Sequence, residues 1–438
     1  MKKPIRIHIS HIPNTFNYGS AMMAIALIDH LARLCPEDLV FYTDASSPED
    51  LERLQASTGL SNIHVLPPYD GGFTRPAKWK DMPKWRKVLC IPALVRSGKK
   101  RQDYLVKNSD LEIILGGDDL SEYYGKRFVA FELANLWYIS RKISLILPGQ
   151  TIGPFTSYRK KWASFCLKKT LLYTRDDPTW EYCVKELGLE NASSSRDLAF
   201  LDLPFQNNKE EEDRILSRYS LEPGKYATVV GSGLTAHYTE RRSDFIDNFA
   251  EILREIAGRE DVEKLVFLAH VVRPVSSDDR FVMRDVVNCL KDRSLDWVLK
   301  KLVIIDDELL PYEARLILGN GRWTITGRMH AAISSIQMGK PVIALSYSVK
   351  YDGVLSKGMG ISRFVIDACG TEKWTDCKIA KEVRERIDFI ESEYQALCGL
   401  IEKRRRECEE RAFQQVSEIA SIISGLKRSS LEKRKRLS

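Results

Sequence analysis

The segment Thr326-Gly327-Arg328-Met329-His330 sets a permanent cation two residues before an imidazole. An apolar run, Trp323-Thr-Ile, precedes it, and Ala331-Ala-Ile follows. This pattern predicts a strand, a turn at Gly327 and a helix that starts near His330. A helix start offers free backbone N–H groups and partial positive charge. Arg328 adds a planar fork suited to phosphate or carboxylate. His330 can give or take a proton near neutral pH. One turn thus combines an anion clamp with a proton-transfer group. The same residues also describe a packed helix start with a surface arginine and a hydrogen-bonded histidine, and spacing alone leaves both readings open.

Other candidates sit at similar strand exits. Lys350 follows the apolar run Pro341-Val-Ile-Ala-Leu, where a lysine can neutralise a phosphate, although a lone lysine is more often solvated. Gly116 and Gly117 end the run Ile113-Ile-Leu, and glycine allows close backbone approach or a tight turn. Asp118 and Asp119 follow; each is a general base or, by a slight preference, a helix cap. Asn14, Asn17 and Gly19 form another strand-to-helix turn, again with capping as the plain alternative. Leu147-Pro-Gly149-Gln150-Thr-Ile-Gly153-Pro154 is a turn-rich exit able to shape a sugar pocket. Arg175 is either an anion ligand or one half of a structural salt bridge with Asp176 or Asp197. His237, beside Gly231-Ser-Gly233, is placed to touch a ligand. No metal-ligand spacing surrounds His8, His11, His30, His64 or His270, and no metal is expected.

These residues need elements to hold them. Strand patterns alternate with helical ones from Ile5 onward: Ile5-Arg-Ile-His-Ile, Asp38 to Tyr42, Ile63 to Leu66, Leu111 to Leu115, Ser144 to Leu147 and Thr170 to Tyr173. The rhythm argues for a parallel sheet with crossover helices. It resumes from Tyr226 through Leu345. The polar, acidic stretch Gln206 to Arg218, closed by Pro223-Gly224, marks a domain boundary. The expected organisation is a first Rossmann-like lobe over 1–205 and a second over 222–375. A helical segment over 376–426 and a basic tail over 427–438 follow. Two such lobes facing a cleft would bind ligand at the strands' carboxyl ends.

Composition narrows the classes. The chain has 438 residues, 44% hydrophobic and 29% charged, enough for two ordinary cores. Ala21 to Ile28, the longest apolar run, is too short for a membrane span, which needs about 20 residues. The N-terminus reads as a first strand, not as a signal peptide. The nine cysteines contain no Cys-x-x-Cys pair, which suits reduced thiols. A net charge of +7 without a nucleic-acid module points to an anionic small substrate or an anionic surface, and no nucleic acid is expected. Phe73 to Arg101 breaks the rhythm; Trp79 and Trp85 lie there among Lys and Arg, as an interfacial segment or as a solvated loop over the cleft. The tail from Lys427 to Arg436 binds anionic lipid or is a plain end.

Asn17-Tyr-Gly-Ser, Gly116-Gly117, Pro148-Gly-Gln-Thr-Ile-Gly, Thr174-Arg-Asp, Thr326-Gly-Arg-Met-His-Ala and Tyr347-Ser-Val-Lys together resemble the polysaccharide pyruvyl transferase family, in order and spacing, from about Ile5 to Gly353. The resemblance implies a two-lobed fold like that of GT-B glycosyltransferases, with the first lobe as the acceptor side and the second as the donor side. It implies transfer of a pyruvyl group from phosphoenolpyruvate to a sugar, giving a cyclic ketal. Phosphoenolpyruvate is then the co-substrate, no cofactor is needed, and the acceptor is a saccharide or a lipid-linked saccharide. His330 is expected as general acid/base, with Arg328, Arg175 and Lys350 on the donor. Asn17, Gly116, Gly117, Asp118, Gln150 and His237 are expected to line the cleft or the acceptor side. Relatives often carry a third glycine where this chain has Asp118, which implies a different loop and acceptor. The expected location is the cytoplasm, with contact at the inner face of the plasma membrane left open. Two other readings stand beside this one: a GT-B glycosyltransferase using a nucleotide sugar, and a non-catalytic protein that keeps the fold.

Overall fold

The computed structural model describes residues 3–36, 38–67, 69, 83, 90–122 and 125–435. The expectations attached to Trp79 and Trp85 lie outside the described residues.

Seven parallel strands form the first sheet: β1 (Ile5–Ser10), β2 (Leu39–Thr43), β3 (Ile63–Val65), β4 (Leu111–Ile114), β5 (Ser144–Gln150), β6 (Leu171–Thr174) and β7 (Ala192–Ser194). Their order is β3-β2-β1-β4-β5-β6-β7. Helices α1 (Tyr18–Leu34), α2 (Pro48–Thr58), α3 (Ile91–Asn108), α4 (Lys126–Ser140) and α5 (Tyr158–Leu167) connect them. The central strand β4 is buried at every position, as expected for a parallel sheet covered on both faces. α2 shows how local sequence sets the ends. Ser47 caps the Asp50 N–H at 3.1 Å, Pro48 opens the first turn, and Gly59 closes it with φ of 70°.

The stretch from Gln206 to Arg218 is mostly helix rather than an irregular linker: α6 (Lys209–Arg218) occupies it. Asn208 caps it by accepting from the Glu210 N–H at 2.9 Å, and three glutamates in the first turn suit the helix dipole. The polar composition that suggests a linker is the solvent face of a helix that buries only Ile215 and Leu216.

Six parallel strands form the second sheet: β8 (Tyr226–Val230), β9 (Lys264–Leu268), β10 (Leu302–Ile305), β11 (Thr324–Thr326), β12 (Val342–Ser346) and β13 (Val365–Asp367). Their order is β10-β9-β8-β11-β12-β13. The helices are α7 (Arg242–Ala257), α8 (Asp279–Asp292), α9 (Pro311–Asn320) and α10 (Met329–Gln337). In each sheet the strand order reverses beside the first strand, between β1 and β4 and between β8 and β11. Ligands of open α/β sheets bind in the crevice outside such points. The protein is therefore a two-lobed α/β chain of GT-B type.

The chain ends in two helices, α11 (Lys378–Ser392) and α12 (Tyr394–Lys435), separated at Glu393. α12 returns to the first lobe and packs on α1. Arg411 meets Asp177 at 2.9 Å, and the Gln415 amide donates to the Arg196 carbonyl at 2.8 Å. α1 is buried along most of its length because its own sheet, α9, α10 and α12 enclose it, which explains why it is apolar on nearly every side. Ile419→Ala in α12 should cost about 2–5 kcal/mol in urea unfolding, since the residue is fully buried. A loss well under 1 kcal/mol would show that the helix is not part of the core.

Candidate active site between the lobes

The Arg328–His330 turn is held from behind. Gly327 takes the turn because a Cβ there would lie 2.9 Å from the Tyr238 hydroxyl oxygen. Its carbonyl accepts from the Tyr238 and Tyr351 hydroxyls at 2.5 and 2.7 Å. Burial raises the pKa of both phenols well above the ordinary value, so they stay protonated as donors. Thr326 Oγ1 accepts from the Arg328 N–H at 2.8 Å, and α10 then begins at Met329.

Arg328 is not a free cation. Its Nε and Nη2 donate to Asp279 Oδ1 at 3.1 and 2.6 Å, and Nη2 also donates to the Ser277 carbonyl at 2.6 Å. Asp279, fully buried, accepts further from the N–H groups of Gly233, His270 and Val271. Burial alone would lower the pKa of Arg328, but Asp279 outweighs it and raises it.

His330 leans across to the first lobe. Its Nδ1 lies only 2.4 Å from where a Cβ on Gly19 would stand, so α1 can approach only with glycine at that position. Its Nε2 faces Asp197 Oδ2 at 3.5 Å, close enough for charge pairing but without a formed hydrogen bond among the described residues. Asp197 is fully buried and also accepts from Arg175 Nη1 at 3.2 Å and from the Ala199 N–H at 2.9 Å. Burial would raise the Asp197 pKa, yet His330 and Arg175 hold it well below the usual carboxylate range. His270 lies near the same cluster; burial pushes its pKa far down, so it stays neutral.

Arg175 therefore makes the salt bridge with Asp197. Its Nε donates to Thr151 Oγ1 at 2.7 Å, while the buried Nη2 has no hydrogen-bond partner among the described residues. Lys350 reaches Asp118 across the lobes at 3.5 Å and lies 4.9 Å from the Tyr347 ring centroid. Asp118 is thus an ion-pair partner of Lys350, Asp119 pairs with His11 at 3.4 Å, and α4 has no side-chain cap, so the capping expectation fails for both. Asn17 precedes α1 without capping it; its backbone instead bridges Val271 of the second lobe.

Two cavities open between the lobes. One of about 850 Å³, within the range of ligand pockets, is bounded by Asp118, Ser121, Thr151, His237, Tyr347 and Lys350. The other, about 790 Å³, takes in Asn17, Ser20, Asp44, Ser46, Asp119 and Arg273. His330 lines neither but adjoins residues of both. It rests on Gly19, next to Ser20 of the second cavity, and its partner chain Asp197–Arg175 ends at Thr151 of the first. The His237 ring packs 5.3 Å from Tyr347.

Three expected cleft residues do other work. A Cβ on Gly116 would stand 2.1 Å from the Gly149 carbonyl oxygen, so this glycine allows two loops to cross. Gly117 accepts the Thr151 N–H through its carbonyl. Gln150 is buried and spends its amide on the Ile114 and Leu115 carbonyls, at 3.0 and 2.9 Å, so it braces the loop instead of facing ligand. Sequence reasoning missed Asp279 as the partner of Arg328 and left Asp197 as one option among two; both lie far along the chain from the residues they serve. It also missed Arg315, a buried cation on α9 that donates to the Leu201 and Ala199 carbonyls at 2.8 and 2.7 Å and so fixes the crossing between the lobes.

A family model described as polysaccharide pyruvyl transferase matches residues 17–349, which span both lobes and the cleft. The chain belongs to the polysaccharide pyruvyl transferase family. No curated protein matches it in sequence. Among solved structures it is similar to a UDP-GlcNAc 2-epimerase from Neisseria meningitidis bound to UDP-GlcNAc, at 9% identity and a TM-score of 0.58, covering 96% of this chain and 99% of that one. It is also similar to a UDP-glucosyltransferase from Polygonum tinctorium, at 12% identity and a TM-score of 0.57, covering 96% of this chain and 99% of that one. At such identities the likeness establishes the fold alone. As a member of this transferase family the chain keeps its matched cleft on two rigid sheets. Among the described residues no helix is long and apolar enough to cross a membrane.

The depressed Asp197 pKa fixes a sign. Its ionised form contributes stability above the unfolded value of about 3.9, and that contribution is lost as pH falls. Asp197→Asn should therefore destabilise by about 3–5 kcal/mol near neutral pH, because Arg175 is left buried and unpaired. The gap to the wild type should narrow below about pH 4. Thermal unfolding across pH checks this; a gap that does not change with pH would refute the ionised pair.

Proposed function

We propose that the protein transfers a pyruvyl group from phosphoenolpyruvate to two hydroxyls of a sugar, in a cell-surface polysaccharide or its lipid-linked precursor. The observation that carries this reading is the family match over residues 17–349, joined to a cation-rich strand-exit surface around His330. Phosphoenolpyruvate brings a phosphate and a carboxylate; Lys350 lines the first cavity, and Arg175 lies buried behind Thr151 of its wall. The second cavity, with Asn17, Ser20, Ser46 and nearby carboxylates, suits a hydroxyl-rich acceptor.

In this scheme His330 gives a proton to the methylene carbon of the donor. One sugar hydroxyl adds to C2, the C2–O bond to phosphate breaks, and the neighbouring hydroxyl closes the ketal. Of the two hydroxyl protons lost, one replaces that given by His330 and the other leaves on inorganic phosphate. Asp197 compensates the charge His330 carries when protonated, and Gly19 leaves room for the ring. The scheme needs no metal and no cofactor.

Incubation with phosphoenolpyruvate and a panel of free and lipid-linked oligosaccharides should release phosphate and add a ketal-linked pyruvate to the acceptor's mass. His330→Ala should lower turnover about 10²–10⁴-fold with the fold intact. Gly19→Ala, which pushes a methyl into the ring, should lower it on the order of 10²-fold with only modest destabilisation. Transfer of a sugar from a nucleotide donor, with no product from phosphoenolpyruvate, would replace this reading with that of a glycosyltransferase, the activity named for one of the fold neighbours.

A further inference from the structure

Exposed aromatic side chains are not spread evenly over this protein. Among the described residues, half of the exposed large aromatics lie on the neighbouring helices α4 and α5: Phe128, Phe131, Tyr158 and Phe165, between 48% and 65% exposed. Val95 on α3 is 56% exposed beside them, and the Phe131 ring reaches to 3.6 Å from where a Cβ on Gly98 of α3 would stand. The two aromatic helices touch directly. The Trp162 indole donates to the Ala130 carbonyl at 3.1 Å, and Phe165 stacks on both Trp162 and Trp137 at 5.7 and 6.0 Å. Phe165, Trp162 and Trp137 form one stacked set, and Phe128 and Phe131 stand exposed on the same helix as Trp137, a gathering of rings that a monomer rarely exposes without a use.

Cations outnumber acids on the same three helices. α3, α4 and α5 carry ten Lys and Arg against two acids, Asp103 and Glu132. On α5, Arg159 pairs with Glu122 and Lys160 with Glu186, while Lys161 and the following Lys168-Lys169 add further cations. Arg141 sits 5.0 Å from the Trp137 ring centroid, at the end of α4. Aromatic rings flanked by Lys and Arg match the boundary between headgroups and acyl chains, where rings enter the apolar edge and cations meet phosphates. A second copy of the chain would set like charges against each other, so charge selects an anionic bilayer over self-association.

We propose that the face formed by α3, α4 and α5 docks the first lobe on an anionic lipid bilayer. Position adds meaning to the contact. α4 follows the loop that carries Asp118 and Ser121, and α5 follows the loop that carries Thr151 and Gly153, all of which bound the first cavity. The starts of both helices thus adjoin the cleft, and the docked protein would present its cleft to a saccharide carried on lipid. Only this last consequence rests on the pyruvyl-transfer reading; the lipid contact does not.

The full chain would be sedimented with vesicles of phosphatidylcholine alone and with phosphatidylglycerol added. Binding should appear with the anionic vesicles and weaken with salt. The double variant Lys126→Glu/Lys161→Glu should reduce it by on the order of tenfold or more. Phe128→Ser/Tyr158→Ser should remove the part that survives high salt. Both variants should keep the thermal midpoint and the turnover of the wild type on a soluble acceptor. Equal binding by wild type and variants would overturn the proposal and assign lipid contact to another part of the chain. A change in oligomeric mass in the variants, without vesicle binding by the wild type, would make the face an interface between copies. Failure of pyruvyl transfer alongside retained vesicle binding would remove the reaction and leave the docking face standing.

Discussion

A fully buried carboxylate, Asp197, ties the first lobe to the His330 ring of the second. It lies just past the first sheet, holds Arg175 of that sheet, and faces His330 of the second lobe. An isolated charge in such a place would be costly; Arg175 balances it within the first lobe, and His330 adds the contact from the second. The Asn17 backbone bridge to Val271 and the Lys350–Asp118 pair then follow as further contacts of the same closed arrangement. Asp279 does the matching work inside the second lobe, gathering Arg328 and three backbone N–H groups at one point.

This wiring has a consequence for anion binding. Each arginine of the cleft is already matched to a carboxylate, so the empty site is close to neutral despite its cations. On the proposed reading, the anionic donor would meet oriented groups whose charge is partly stored against an internal counterion. Lys350, held at 3.5 Å rather than in a close bond, is the cation most easily released to it. Such preorganisation costs little rearrangement when charge arrives.

Much of the fold was legible from periodicity. The runs at Ile5, Leu111, Tyr226 and Leu302 became strands because buried parallel strands need uninterrupted apolar residues. The turn at Gly327 and the helix after it were legible because glycine, a flanking strand and an apolar helical pattern coincide within a few residues. α6 was not, since a surface helix with two buried residues resembles a linker in composition. The position of Arg328, His330 and Lys350 at strand exits was legible, because their motifs are local. Their partners were not: Asp279 lies 49 residues from Arg328, and nothing in a single sequence pairs them. Gln150 shows the opposite error, a polar residue beside glycines that looks solvent-facing but is spent on buried carbonyls.

The long final helix carries a further implication. Arg411 and Gln415 satisfy Asp177, the Ser195 hydroxyl and the Arg196 carbonyl, all in the first lobe, yet they come near the end of the chain. A first lobe emerging from the ribosome therefore lacks this wall until the second lobe and α12 have followed it. During that interval the apolar side of α1 that α12 covers stands open, a surface able to find another partner before its own arrives.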